Sequence, residues 1–369
     1  MGRAPLKLGF AFNLGLRDKT PDATARLYDD VLATIRYAEQ VGLDGVWVGQ
    51  HHFDITPGPV PSPLVLLAAV ARETSRIALG TGIVTLPLED PLRLAEDAAV
   101  LDVLARGRLH LGLGTGGANL GAFEAWGLDA ADRHRLYDEK LARLNAALTG
   151  QALTAPALTP NARAAPALTT DAASPRLQPY LPGLPRRVWE GVTSEARARA
   201  AARADHGIQV GAFFDPAGAG QHPKVAAYVD ELARVHPQSE PRVGAFRFLY
   251  LGASKDDVVR EVEPALAPKL PFLAERGAQS GNTTLKGLSV RDYLDSVAIY
   301  GSPADVVDGI EADPVLRDFG THLVANASFH DTFDADHARR QIDALVREVG
   351  PALGWRANAT TETAARALA

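Results

Sequence analysis

The sequence predicts a single (β/α)8 barrel of the α/β class, with insertions after the fourth helix and after the seventh strand. Three observations predict it. Short apolar, β-branched runs alternate with longer runs of helical period from the first residues almost to the last. The strand runs are apolar at successive positions, as in strands buried on both faces of a parallel sheet. No clean linker divides the 369 residues, a length that one barrel reaches.

The elements follow in order. Residues 6–14 (LKLGFAFNL) read as the first strand. A helix over 21–41 has Leu27, Val31, Ile35, Ala38 and Val41 at helical spacing, Thr20 as cap and Gly42 as stop. The second strand runs into Gln50, and a Pro-rich loop leads to a helix over 63–74. A third strand spans 77–86, a third helix 92–105, and a fourth strand, 108–113, ends in GLGTGG. The fourth helix covers 132–148. Residues 150–185, dominated by Ala, Thr and Pro without a period, read as a surface insertion. Alternation resumes with strands at 187–190, 208–214 and 243–251 and helices at 193–204 and 223–235. Ser254-Lys255-Asp256-Asp257 caps the next helix, which Pro264 and Pro268 should end. Residues 271–292 carry several glycines and little pattern, and are a candidate lid. Ser302-Pro303-Ala304-Asp305 starts a further helix; 322–327 is the eighth strand and 334–349 the eighth helix. The tail, 357–369, should fray.

Composition removes several function classes. The net charge is −6 and basic residues are scattered among carboxylates, so no nucleic-acid footprint is expected. There are no cysteines, which excludes disulfides, thiolate metal sites and a Cys nucleophile and fits a reducing compartment. The N-terminus has no signal-peptide pattern and no apolar run could span a bilayer, so the expectation is a cytoplasmic protein without membrane contact. No set of His and carboxylates has metal-ligand spacing.

The most informative stretch is 44–53, DGVWVGQHHF. A short β-branched and aromatic run ends in Gly and presents Gln50, His51 and His52 just before a Pro/Gly turn. The C-terminal ends of strands are where α/β folds place their chemistry. By itself the pair reads equally well as catalytic imidazoles or as a loop cap beside a structural histidine. His110, His134, Arg135, His322 and His330 are weaker candidates. GLGTGG follows the fourth strand and opens no clean helix, so it is a poor dinucleotide fingerprint.

Taken together, several stretches resemble the bacterial-luciferase-like flavin-dependent monooxygenase family. AEQVGLDGVWVGQHHF resembles its second strand and loop, where the family carries Glu-His-His-Phe. GTGIVTLPLEDPLRLAEDAAVLDVLARGRLHLGLGTG resembles its third strand through its fourth. VWEGVTSEARARAAARADHG resembles its phosphate-binding fifth strand and helix, and GSPADVVDGI a late helix signature. The resemblance implies a barrel that binds reduced flavin at its C-terminal face, with His51 catalytic and His52 structural. It implies a cofactor site of Gln50, Gly82, Ile83, Thr115, Gly191, Val192, Thr193 and Ser194. Gly82-Ile83 falls where the family often has a non-prolyl cis peptide. Thr193-Ser194 opens a helix whose free N–H groups and hydroxyls suit a flavin phosphate. The chain departs from the family at Gln50, in place of Glu, and at Gly114 and Thr115, in place of Cys and Arg.

The implied activity is a two-component FMN-dependent monooxygenase that uses reduced FMN and O2 on a small organic substrate. Its partners would be a separate NAD(P)H:flavin reductase and a second copy of the chain in a homodimer. The alternatives are hydride transfer with the deazaflavin F420 on the same fold, or a flavin-binding protein without turnover.

Overall fold

The computed structural model describes residues 6–53, 59–153, 175–211, 219–279, 282–327 and 332–357. Eight parallel strands close into a barrel: β1 (Lys7–Phe12), β2 (Gly45–Val48), β3 (Ala78–Thr81), β5 (Leu109–Gly114), β6 (Val188–Gly191), β7 (Gly207–Gly211), β8 (Val243–Leu251) and β10 (His322–Asn326). Closure comes from β10, which pairs with β1 on one side (Lys7 with His322) and with β8 on the other (Gly244 with His322). Two short strands lie outside this circuit. β4 (Val84–Thr85) pairs with β5 beyond the end of β3, and β9 (Ala298–Gly301) pairs with the second half of β8.

The outer ring contains α1 (Pro21–Gln40), α2 (Pro63–Glu73), α3 (Pro91–Leu104), α5 (Arg133–Leu148), α6 (Glu195–Arg203), α7 (His222–Val235), α8 (Lys255–Leu266), α11 (Pro303–Ala312) and α13 (Ala335–Ala344). A short α4 (Ala122–Ala125) follows β5. The remaining helices are α9 (Leu270–Gln279), α10 (Val290–Val297) and α12 (Pro314–Asp318). Caps at Thr20, Ser254 and Ser302 hold their helix ends; at Ser302 the capping box with Asp305 is complete. No described helix is long and apolar enough to cross a membrane.

The barrel floor shows how the interior is filled. Trp47 and Trp189 point inward with His110, His322 and Phe246 around them. Two indoles fit because the facing strand positions are glycines. A methyl on Gly9 would lie 2.2 Å from the Trp47 ring, one on Gly80 2.3 Å from it, and one on Gly207 2.6 Å from Trp189. The strands' other faces bury Leu8, Val46, Leu79, Leu111 and Val188 against the helices, which accounts for their apolar character at successive positions.

Four expectations need correction. The strand over 77–86 ends at Thr81, is interrupted by a cis Gly82–Ile83 peptide, and resumes only for Val84–Thr85 before a 3-10 turn, Leu86–Leu88. Pro264 does not end its helix. α8 continues through it to Leu266, because Val258, Val262 and Leu266 form a buried stripe that holds the last turn in place. Residues 271–292 are not patternless: Pro271 sits in the first turn of α9, where proline suits a helix, and α10 starts at Val290 on the Ser289 cap. The insertion is not wholly superficial either, since Leu177 and Leu184 join the core. Its residues 154–174, the strand end over 212–214 and the tail from 358 lie outside the described residues.

Candidate active site

Four consecutive barrel strands, β2, β3, β5 and β6, present their C-terminal ends side by side. In that order they carry Gln50–His51–His52, Gly82–Ile83, Gly114–Thr115 and Gly191–Ser194. Residues far apart in sequence therefore form one arc on the barrel mouth. Ile83 connects three of these ends. A methyl on Gly114 would stand 2.8 Å from its Cδ1 and one on Gly191 3.6 Å from its Cγ2. A side chain at Gly114 would collide with Ile83 and one at Gly191 would touch it, so Ile83 packs directly on the neighbouring strand ends.

His51 stands at one end of the arc. A methyl on Gly49 would lie 3.4 Å from His51 Nε2, 3.4 Å from Asn13 Oδ1 and 3.6 Å from the Gly82 carbonyl oxygen, which places the imidazole beside the cis peptide. Its Nδ1 is buried without a hydrogen-bond partner among the described residues. Burial, with His52 adding a smaller push, lowers its pKa to about 4. The ring is neutral at physiological pH, with an unspent nitrogen at the mouth. A buried polar atom without a partner is uncommon in folded proteins, and a ligand is one of the things that can complete it.

His52 lies edge-on to Trp126, 4.7 Å between ring centroids, and Trp126 also packs on Phe53 at 5.3 Å. Phe53 and Trp126 are both exposed on the mouth side. Phe53 has φ +56°, a left-handed backbone that few aromatic residues adopt. Together they make an aromatic lip next to His51.

Gln50 behaves differently from the sequence expectation. Its amide is spent on the protein: Nε2 donates to Pro61 O (3.0 Å) and to Glu89 Oε1 (2.6 Å), and Oε1 accepts from Thr85 N (2.6 Å). Both side-chain N–H groups are spent on the protein, so the Gln50 amide braces the loop that carries His51.

At the arc's other end, β6 runs into Val192, whose N–H donates to Gln209 O, and Ser194 caps α6 by accepting from Arg197 N (3.3 Å). The Ser194 hydroxyl proton remains to be donated, as do the Glu195 and Ala196 amides of the first turn of α6, which have no intrahelical acceptor. Thr193 is exposed beside them. The turn is anchored from below. Arg197 pairs with Asp138 at 2.6 Å and covers the Tyr137 ring, while Tyr137 and His206 both hydrogen-bond Glu190 (3.0 and 2.9 Å). Burial and the Glu190 carboxylate hold the Tyr137 hydroxyl far above its ordinary pKa.

Other candidates fall away. His110 and His322 point into the barrel floor; burial lowers each to about 3. Both have partners: Trp189 Nε1 donates to His110 Nδ1 at 3.0 Å, and Thr321 Oγ1 lies 2.9 Å from His322 Nδ1. Arg135 is tied to Asp132 and Glu139 on the surface. His134 opens α5 at the surface, and His330 lies outside the described residues. No group of His and carboxylates could hold a metal among the described residues. Glu89, Asn119 and Arg197 were missed. Nothing local distinguishes them in sequence, since each acts through a partner tens of positions away.

A family model described as luciferase-like monooxygenase matches residues 11–322. The chain belongs to the luciferase-like monooxygenase family. Among curated relatives, 4-hydroxyprotoasukamycin monooxygenase of Streptomyces nodosus subsp. asukaensis is 38% identical over 119 residues, 32% of each chain. The chain thus matches about a third of that relative's length. Among solved structures, the oxygenating constituent of 3,6-diketocamphane monooxygenase from Pseudomonas putida, in complex with FMN, superposes with TM-score 0.72 at 17% identity, covering 94% of this chain and 98% of that one. The coenzyme F420-dependent tetrahydromethanopterin reductase of Methanopyrus kandleri superposes with TM-score 0.65 at 19% identity, covering 95% and 100%. Within the luciferase-like family both flavin- and F420-using oxidoreductases share this barrel.

Proposed function

We propose that this luciferase-like chain is the oxygenase of a two-component monooxygenase that takes up reduced FMN and uses O2 to oxygenate a small organic substrate. The observation that carries the reading is the buried, neutral and unpartnered His51 Nδ1, on one arc with a helix N-terminus able to hold a phosphate. The residues fit the group. The backbone of Gly191 to Ser194 and the Ser194 and Thr193 hydroxyls would hold the phosphate. Gly82, Ile83, Gly114 and Thr115 would carry the ring. A bound reduced flavin supplies two electrons and, with O2, the oxygen atom that is inserted.

The chain's own contributions are positional and protonic. His51 is poised to accept or share a proton at Nδ1, and its low pKa keeps that nitrogen free near neutrality. The aromatic lip of Phe53 and Trp126 would receive an apolar substrate and exclude water. A separate NAD(P)H:flavin reductase would deliver the flavin in the cytoplasm. The exposed Val65 of α2 and Val100 and Val103 of α3 form an apolar face on neighbouring helices, which a homodimer would bury. Val103→Glu should convert a dimer to monomer in light scattering at micromolar concentration; an unchanged mass would remove this face from the interface.

The test is an anaerobic titration with reduced FMN and, separately, reduced F420, followed by admission of oxygen. Preferential FMN binding with oxygen consumption and product oxygenation supports the reading. F420 binding with oxygen-independent hydride transfer would replace it with the deazaflavin alternative. Tight flavin binding without turnover would leave a storage protein.

A further inference from the structure

The peptide group that precedes His51 is held at both ends. Its carbonyl, that of Gln50, accepts from Asn119 Nδ2 (3.1 Å), and its N–H, that of His51, donates to Val60 O (3.0 Å). The Gln50 side chain then ties this clamp to its surroundings. It donates to Pro61 O, next to the acceptor of His51 N–H, and accepts from Thr85 N, while Asn119 Nδ2 also donates to Thr85 Oγ1 (2.8 Å). Three loops, after β2, after β4 and after β5, meet at one amide. Its orientation is forced: the Thr85 N–H requires an acceptor, and Pro61 O and the Glu89 carboxylate require donors.

We propose that Gln50 is a positioning residue matched to Glu89, and that the amide at position 50, donating to Glu89 and accepting from Thr85, is what lets this chain hold His51 in place. The argument is one of donors and acceptors. A carboxylate at position 50 would put an oxygen where Nε2 now stands, 2.6 Å from Glu89 Oε1 and 3.0 Å from Pro61 O. Three acceptors would then converge with no proton between them. The pair would relieve this by taking up a proton, as carboxylates sharing one site do. The titratable groups facing the site are Glu89 and Asp90 ahead of α3, Lys140 of α5, whose Nζ donates to Pro87 O, and His51 and His52 on the loop itself, both lowered by burial. Burial lowers the pKa of Lys140 against the pull of Asp90 and Glu89.

The sign of the pH effect follows. A carboxyl whose pKa is raised in the folded protein stabilises it at low pH, and that contribution is lost as pH rises. The experiment compares wild type, Gln50→Glu, Glu89→Gln and the double variant Gln50→Glu/Glu89→Gln as flavin-free full-length proteins, by thermal unfolding at pH 5 and pH 8. NMR titration of the His51 imidazole and the pH profile of turnover accompany it. Gln50→Glu should melt below wild type by a margin that is wide at pH 8 and narrow at pH 5. In the double variant the amide moves to position 89 and donates to the carboxylate now at position 50, which should recover part of the loss at pH 8. Turnover of Gln50→Glu at pH 8 should fall roughly 10- to 100-fold, as displacement of a catalytic group does, with FMN affinity changed less.

An equal deficit at both pH values, with no recovery in the double variant, would reduce Gln50 to a packing role and overturn the proposal. A His51 titration curve unchanged in Gln50→Glu would also overturn it. The turnover arm rests on the function proposed above, whereas the melting and NMR arms do not. If wild type fails to turn over with either flavin, that reading falls and the pairing of Gln50 with Glu89 is still decided.

Discussion

The barrel holds two pairs of histidines, one at its floor and one at its mouth, and burial lowers the pKa of all four. At the floor, burial drives His110 and His322 to about 3; at the mouth it drives His51 to about 4. A depressed pKa therefore does not distinguish the imidazole at the mouth from those at the floor. The floor pair has hydrogen-bond partners in Trp189 and Thr321 and lies among indole rings. At the mouth, His51 Nδ1 and His52 Nε2 have none among the described residues. What separates the pairs is the unspent nitrogen, and the strand end on which it stands. The floor is at the strands' N-terminal end, where barrels invest in stability, and the mouth at their C-terminal end, where they invest in chemistry.

Reciprocal substitutions give the largest effects by which this contrast can be broken. His51→Ala should lower turnover about 10²–10⁴-fold, the usual contribution of a general acid or base, with little change in melting temperature. His110→Ala should do the opposite. It leaves the Trp189 N–H without an acceptor and a void between indoles, a loss of roughly 2–4 kcal/mol in denaturant unfolding, while the folded fraction keeps its flavin affinity. Loss of turnover in both, or in neither, would dissolve the distinction between floor and mouth.

Acid should act on both pairs in the same direction. His51, His110 and His322 are protonated in the unfolded chain below pH about 6.5 but stay neutral in the folded chain until about pH 4 or 3. The unfolded state then binds more protons, so stability of the flavin-free protein falls as pH drops from about 6.5 towards 4. Melting temperatures measured across that range check it, and a flat curve would contradict the buried, neutral assignment. His51→Ala should make the fall shallower.

The smallest effect sharpens the mouth alone. Ser194→Ala removes a helix cap, at a cost of about 1 kcal/mol, and a hydroxyl from the proposed phosphate site. FMN should bind more weakly than to wild type while riboflavin, which lacks the phosphate, binds as before. Equal weakening of both would assign Ser194 to α6 alone.

The position of His51 at a strand's C-terminal end was legible because the signal was local: an apolar strand, then two imidazoles just past it. The helix caps at Thr20, Ser254 and Ser302 were legible for the same reason, since a cap depends on three or four neighbouring residues. The partners of the Gln50 amide were not legible, because its neighbours in sequence say nothing of Thr85 or Glu89, which reach it across two loops. Pro264 was misread because the local rule against proline in a helix yields to the burial of Val258, Val262 and Leu266.

By itself, then, the sequence determined the order of strands and helices, their two-sided burial and the residue type at each strand end, all of which depend on neighbours a few positions apart. Tertiary structure decided which strand closes the barrel, which histidine keeps a free nitrogen and which amide is already spent. Those outcomes depend on donors, acceptors and ring volumes brought together from distant positions, and hydrogen-bond partners are assigned only when the barrel closes.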